Sequence, residues 1–470
     1  MGDKASLGPS LPGWFLYTAT ALLALQIFYV LLRTRGSAAK YLIGACWVRY
    51  ALGPFHDFTF REAFAGMSWM AIASLLTISL APVFLDVRRF FTITFLPVAI
   101  ICALMLVSAF MNHDPAGAAE PVLRFVFFLV ITVAAWQALE TSGPNALARL
   151  CWVFLLPLVF LLASLALGVV KSGELDGSAS YIGGYNHEQA FSLILATCFL
   201  ASIYAGSLRP GIKFALGVAS LAGIALANYR TTILGMAPLA IAAVVLAAPR
   251  AFRPQQRRIV LGLLAAAAAI GIVLALAAAP QRFSDLETLS RQGTSIIRPP
   301  QDFTSDERRM LSSRPYIWSL YIYAYKAGTP RQHLLGLGPD SWQNVFPVYA
   351  HNTVVSFLYE LGIVGVFAIF FLWGTMLWIA FKAHPPQRGL LVAGHLSFFM
   401  LNMSTMPHWQ IEGNILYGLL CGYTLFAARA RLRQRSARGH GGPDRLARPG
   451  RLADPGWAPA RRPQGSPMTG

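Results

Sequence analysis

The chain has 470 residues, 56% of them hydrophobic and 12% charged, and its mean hydropathy is +0.54. That balance excludes a soluble enzyme and supplies many apolar runs long enough to cross a bilayer. The formal net charge of +18 does not point to nucleic acid, because Arg and Lys gather in short loops between those runs and in the tail, as positive-inside topology requires. Hydrocarbon cannot satisfy open backbone groups, and no alternating strands of barrel length are visible, so the spans are predicted to be helices.

In chain order, spans are predicted at 14–33, 66–84, 92–111, 122–139, 147–170, 188–206, 210–228, 231–248, 259–279, 353–381, 389–406 and 411–428. A run at 41–52 is interrupted by Arg49 and is either a further span or an interfacial helix, so the fold class is an all-α polytopic membrane protein with about 12–13 transmembrane helices. No cleavable signal is evident before the first run. The basic loops around Arg88-Arg89, Arg209 to Lys213, Arg250 to Arg258 and Lys382 to Arg388 fall on one side under this alternation, which makes that side cytoplasmic. A crossing at 41–52 puts the N-terminus outside; an interfacial helix puts it inside. Residues 1–428 form one membrane domain, and the Arg/Pro-rich segment 429–470 is expected to be a disordered cytoplasmic tail that touches anionic lipid headgroups. The five cysteines, Cys46, Cys102, Cys151, Cys198 and Cys421, lie in apolar stretches without metal-ligand spacing.

The long outer loop, 281–352, carries most of the information. Its first half, Phe283 to Phe303, reads as irregular, with Pro299-Pro300 as a breaker. From Ser312 or Ser313, as N-cap, to Tyr325 the pattern predicts a helix whose Trp318, Tyr321 and Tyr325 suit a membrane interface. Leu335 to Asp340 then makes a tight turn, and the chain re-enters the membrane at His351-Asn352.

Three outward polar residues stand out: Arg230, Arg314 and His351. Two guanidiniums supply forked donors matched to a pyrophosphate, and an imidazole is the side chain best poised as a general base near neutral pH. The set fits transfer from a diphosphate leaving group on a lipid-borne substrate. No DxD-type or paired-carboxylate site is apparent, so no metal or other cofactor is expected and the arginines neutralise the phosphates. Elsewhere, His187 and Glu188 face the same side, although a helix N-terminus with an acidic first turn is the plainer account of them. His333, His384, His395 and His408 have no role that the sequence assigns.

The run Ser313-Arg314-Pro315-Tyr316-Ile317-Trp318, then Gly336-Leu337-Gly338-Pro339-Asp340-Ser341-Trp342, then His351-Asn352 with Glu360-Leu361-Gly362-Ile363-Val364-Gly365, resembles the signature of the bacterial O-antigen ligase and polymerase superfamily, which includes exopolysaccharide polymerases. Arg230-Thr231-Thr232 is similar to that family's earlier arginine motif, and the resemblance is strongest over 180–380. It implies a metal-independent, inverting GT-C-like glycosyltransferase of the bacterial inner membrane, active at its periplasmic face. Its donor would be undecaprenyl-pyrophosphate-linked glycan and its acceptor a second glycan or the lipid A core. A chain-length regulator and export proteins are the partners implied, beside membrane lipids and no nucleic acid. By position, Arg230 and Arg314 would bind the pyrophosphate and His351 would activate the acceptor hydroxyl. Asn352 would orient the loop-to-helix junction, Trp318 would join the substrate-binding residues, and His187 with Glu188 would line the acceptor path. The segments Phe55-His56-Asp57-Phe58-Thr59 and Ala65-Gly66-Met67-Ser68 favour a polymerase over a ligase. A lipid-linked glycan flippase is the alternative of another class.

Overall fold

The computed structural model describes residues 8–64, 66–172, 179–247, 255–260, 262, 296–305 and 307–439. Helices dominate: α1 Gly13–Arg33, α2 Ser37–Leu52, α3 Trp69–Phe84, α4 Leu96–Met111, α5 Ala119–Ser142, α6 Leu155–Leu167, α7 Glu188–Tyr204, α8 Pro210–Leu226, α9 Arg230–Ala242, α10 Arg314–Lys326, α11 Pro330–Leu335, α12 Thr353–Phe381, α13 Pro385–Ser404 and α14 Ile411–Gly439. Two short antiparallel strand pairs, Glu62–Phe64 with Met67–Ser68 and Lys171–Ser172 with Ala179–Ser180, decorate the loops. By length and composition, six helical stretches among the described residues can cross a membrane: Gly13–Arg33, Ile93–Met111, Ala116–Ser142, Asn145–Leu167, Thr353–Phe381 and Ile411–Arg431. Trp14, Leu25, Phe28, Val83 and Phe214 are exposed on the flanks, where a bilayer rather than water is the favourable solvent. The predicted span at 259–279 lies almost wholly outside the described residues, as does most of the first half of the long loop.

Contacts at the helix ends define the topology. At one end Ser37 Oγ donates to Phe84 O at 2.8 Å, Ser142 Oγ to Arg35 O at 2.9 Å and Arg431 Nη1 to Lys382 O at 3.1 Å. This end also carries Arg88, Arg89 and Arg388, the predicted basic loops. At the other end Tyr185 OH donates to Tyr50 O at 2.9 Å, and Gly8 N to Asn186 Oδ1 at 2.9 Å. Helix α2 therefore begins at the basic end and finishes at the end that bears the long loop, so the run broken by Arg49 traverses the bundle. The segment before α1 lies at the loop end. Arg49 is tolerated near the top of α2 because its Nε donates to Glu412 Oε1, 2.8 Å away on α14, and both side chains are nearly buried.

Helices α5 and α14 form the centre. Gly418 and Gly422, four apart on α14, let the two backbones approach closely, as small residues do where helices have no hydrophobic drive to associate. A Cβ on Gly422 would lie 2.6 Å from Ala135 Cβ and 2.8 Å from Thr132 O. The same helix runs on through Arg429 to Gly439, past the predicted start of the tail; residues 440–470 lie outside the described set. The cysteines are free, and all but half-buried Cys102 are buried.

Helix α12 is broken. Gly362 has φ 66° and ψ −167°, so the residues before and after it are separate helical pieces. The break leaves backbone carbonyls open, and the loop and α4 fill them: Leu337 N–H donates to Tyr359 O at 2.9 Å, Gly338 N–H to Glu360 O at 3.1 Å, and Ser108 Oγ of α4 to Glu360 O at 3.0 Å. Gly336 faces the same spot, where a Cβ would meet Glu360 C at 2.1 Å.

Replacing Gly422 with Leu forces α14 away from α5 and is expected to cost about 1–3 kcal/mol or more. A lower melting temperature in detergent, read by size-exclusion after heating, checks it; an unchanged Tm would mean that the helices do not pack through this face.

Candidate active site

Three segments meet at the loop end: the turn before α9, the start of α10 and the start of α12. Asn228 is left-handed, with φ 54°, and Arg230 opens α9 two positions later. Ser312 and Ser313 are left-handed too, at φ 56° and 64°, and place Arg314 as the first residue of α10. Ser313 occupies the predicted N-cap, but its side chain makes no capping bond, since capping needs an extended backbone there. Arg314 Nη2 donates to Thr231 Oγ1 at 2.8 Å across 83 residues of sequence, which sets the second arginine segment against the first. Tyr229 belongs to the same group: burial pushes its hydroxyl up to about 12, and the Arg314 cation pulls the other way.

His351 is held with φ 51°, a conformation that costs most side chains energy and that gathers at functional sites. The residues around it are pinned. Trp318 Nε1 donates to Ala350 O at 3.0 Å, and Tyr321 OH to Val348 O at 2.9 Å. Tyr349 OH donates to Gln189 Oε1 at 2.8 Å, and Gln189 Nε2 donates onward to Thr405 Oγ1 at 3.0 Å. Asn352 caps α12: its Oδ1 accepts from Val354 N at 2.9 Å and Val355 N at 3.1 Å, while Nδ2 donates to Met403 O at 2.9 Å. The imidazole lies 4.0 Å, ring centre to ring centre, from the Tyr349 phenol. Its Nδ1 is buried without a hydrogen-bond partner among the described residues. Burial, then the Arg314 cation, then His187, lower its pKa to about 4, so the ring is neutral in the ordinary working range.

The aromatic residues of α10 differ from the interface belt expected of them. Tyr321 is 1% exposed and stacks on Phe346 at 4.2 Å, in a small core with Ile317, Ala350, Tyr359 and Met406. Tyr325 OH donates to His333 O at 2.8 Å. These rings fasten the loop to itself, because their polar tips find backbone carbonyls where a belt residue would find water. Trp318 spends its indole N–H in the same way, one residue from His351.

His187 caps α7, its Nδ1 accepting from Gln189 N at 3.1 Å, and Glu188 pairs with Lys171 at 3.2 Å. Glu360 is buried, accepting from Asp340 N at 2.9 Å and from Ser356 Oγ. Sequence reasoning missed Thr231, Tyr349, Gln189 and Asp340, although each adjoins or falls within a segment it had singled out. Asp340, left-handed at φ 54°, accepts at Oδ1 from the indoles of Trp342 and Trp409, each at 3.3 Å, and lies 3.9 Å from Arg124 Nη1. Burial raises its pKa, and the Arg124 cation opposes the rise. Among the described residues no group of three or more His, Cys, Asp or Glu is placed to hold a metal ion.

The fold defines a polytopic helical membrane protein, and this cluster of arginine and histidine segments at its loop end is a candidate site. Residues 215–370, about a third of the chain, match the family model described as O-antigen ligase, so that segment is similar to the O-antigen ligase and polymerase superfamily. Arg230, Arg314, His351 and Asn352 fall within the matched segment; His187 and Glu188 precede it. A comparison with curated proteins finds no match.

Asp340→Ala leaves two indole N–H groups without their acceptor and removes the carboxylate 3.9 Å from Arg124 Nη1, and is expected to cost about 1–3 kcal/mol. Asp340→Asn keeps an acceptor and tolerates the left-handed backbone, so it is expected to recover part of the loss. Thermal unfolding followed by tryptophan fluorescence ranks the two; Ala as stable as wild type would remove Asp340 from the framework.

Proposed function

We propose that the protein is an inverting, metal-independent glycosyltransferase that polymerises undecaprenyl-pyrophosphate-linked repeat units of a surface polysaccharide at the periplasmic face of the inner membrane. The observation that carries this reading is the Arg314–Thr231 hydrogen bond: it brings two arginine segments far apart in sequence to one place, beside a neutral imidazole, within the stretch that matches the O-antigen ligase model. Arg230 and Arg314 grip the pyrophosphate with planar forks. The acceptor hydroxyl oxygen attacks the anomeric carbon as its proton passes to His351, and the bond from that carbon to the phosphate oxygen breaks. The electron pair leaves with undecaprenyl pyrophosphate, whose growing negative charge the arginines stabilise. Asn352 and Trp318 hold the peptide on either side of His351 so that the ring meets the hydroxyl in one orientation.

The ligase alternative differs only in the acceptor, a lipid A core. Purified protein in proteoliposomes separates the readings. A ladder of longer glycans from the lipid-linked repeat alone supports the polymerase, and product only when lipid A core is added supports the ligase. Translocation without bond formation would indicate the flippase.

His351→Ala is expected to lower transfer by about 100- to 10,000-fold while expression and donor binding persist. Full activity would remove the base assignment. Arg314→Lys keeps the charge and loses the fork; a loss of about 10- to 100-fold is expected, and wild-type turnover would argue against a bidentate contact.

The pH profile carries a sign. With the His351 pKa lowered to about 4, the free enzyme holds its base deprotonated above that pH, and kcat/KM should fall only as pH drops through that value. Bound pyrophosphate offsets the Arg314 cation and raises the imidazole pKa in the complex, so the acid limb of kcat should lie at higher pH than that of kcat/KM. Coincident limbs would mean that no anion sits between the two groups.

A further inference from the structure

A second feature opens beside the site, on the far side of Tyr349. A cleft of about 440 Å³ lies between α2, α3, α5, the cap of α7 and the start of α14, within the size range of ligand pockets. His187 and Tyr349 line it, whereas neither Arg230 nor Arg314 does. Tyr349 is thus shared: it lines the cleft, and its ring centroid lies 4.0 Å from that of His351.

The cleft has two chemistries. Its upper wall carries Arg49, Glu120, Arg124, Asn186, Gln410 and Glu412. The charges there are paired, Arg49 with Glu412 at 2.8 Å and Arg124 with Glu120, so the wall offers planar donors and acceptors without strong net charge. Two buried polar atoms in it, Arg124 Nη1 and Gln410 Oε1, have no hydrogen-bond partner among the described residues, although Arg124 Nη1 lies 3.9 Å from Asp340 Oδ1. Trp409 adds an aromatic face. Below this, Met70, Ala71, Leu75 and Ile78 line the cleft from one face of α3, reaching about 12 Å down from the loop end. Leu123 adds to the apolar wall. Paired polar groups with aromatic rings suit sugar hydroxyls, and an apolar wall at the depth of a membrane span suits a hydrocarbon chain.

We infer that this cleft is the acceptor site, taking a saccharide carried on a long-chain lipid whose apolar chain runs along α3 and whose terminal sugar lies against Tyr349 within reach of His351. The inference rests on the transferase reading above. It adds that the acceptor comes from the cleft side, so that its hydroxyl oxygen can meet the anomeric carbon on the face opposite the leaving phosphate, as direct displacement requires.

The test uses an acceptor that cannot donate: the repeat unit as a long-chain alkyl glycoside with a photoreactive diazirine in the alkyl chain. Irradiated with the full-length protein in proteoliposomes, it should label the Trp69–Phe84 peptide. Unlabelled glycoside should abolish that labelling, and inorganic pyrophosphate, which competes only for the donor headgroup, should not. In parallel, Ala71→Trp, which fills the cleft, should raise the KM for the glycoside about tenfold or more and leave the affinity for inorganic pyrophosphate unchanged. Competition by inorganic pyrophosphate, labelling confined to other helices, or an unchanged acceptor KM in Ala71→Trp would overturn the assignment. Should wild-type protein form no glycosidic bond, the transferase reading fails by itself, and the labelling pattern still decides what occupies the cleft.

Discussion

The break in α12 is the constraint on which the loop end depends. A helix interrupted at membrane depth leaves carbonyls that lipid cannot satisfy, each a loss of several kcal/mol. Here Leu337 and Gly338 donate their N–H groups to Tyr359 and Glu360, so a stretch of outer loop becomes part of the span it touches. Two glycines make this contact feasible: Gly362 turns the helix with a positive φ, and Gly336 allows backbone to meet backbone. The turn so anchored carries Asp340, whose N–H bonds Glu360 and whose carboxylate gathers two indoles. The loop is therefore a rigid cover, built from the same hydrogen-bond accounting that governs the bundle.

Rigidity of this kind is needed because the cover stores strain. Among the described residues the non-glycine positions with positive φ are His113, Asn228, Ser312, Ser313, Asp340 and His351, and all lie at the loop end. Three of the segments concerned position Arg230, Arg314 and His351. Such backbones persist only where surrounding contacts over-determine them. The bonds to Ala350 O, Val348 O and Gln189, with the Asn352 cap, supply that determination around His351. Burial then keeps the imidazole neutral beside a guanidinium that would otherwise have to be screened by water.

Much of this was legible in the sequence, for physical reasons that differ by level. The long spans follow from hydropathy, since lipid imposes one solution on an apolar run, and α1, α5, α12 and α14 lie close to the stretches expected. Helix α2 stayed ambiguous because Arg49 obscured it; its partner Glu412 is 363 residues away, and no local pattern reports such a pairing. The rings of α10 suggested an interface belt because an aromatic helix beside a membrane has the same composition whether it meets lipid or its own loop. Arg230, Arg314 and His351 could be named from residue type and order, but Thr231, which takes the Arg314 hydrogen bond, and Tyr349, which ties the His351 segment to Gln189, act through single hydroxyls that sequence does not distinguish from ordinary surface polarity.

The left-handed backbone at His351 narrows what evolution can place there. A substitute must tolerate that conformation and also accept a proton, two filters that admit different residues: glycine and asparagine satisfy the first without basicity, while lysine and glutamate retain titratable groups but fit the peptide poorly. Histidine is enriched in the left-handed region, and its neutral ring offers a nitrogen lone pair that can take a proton, so it meets both demands at once. Drift at this position should consequently be tightly confined even where neighbouring loop residues vary, because geometry and reactivity are there selected together.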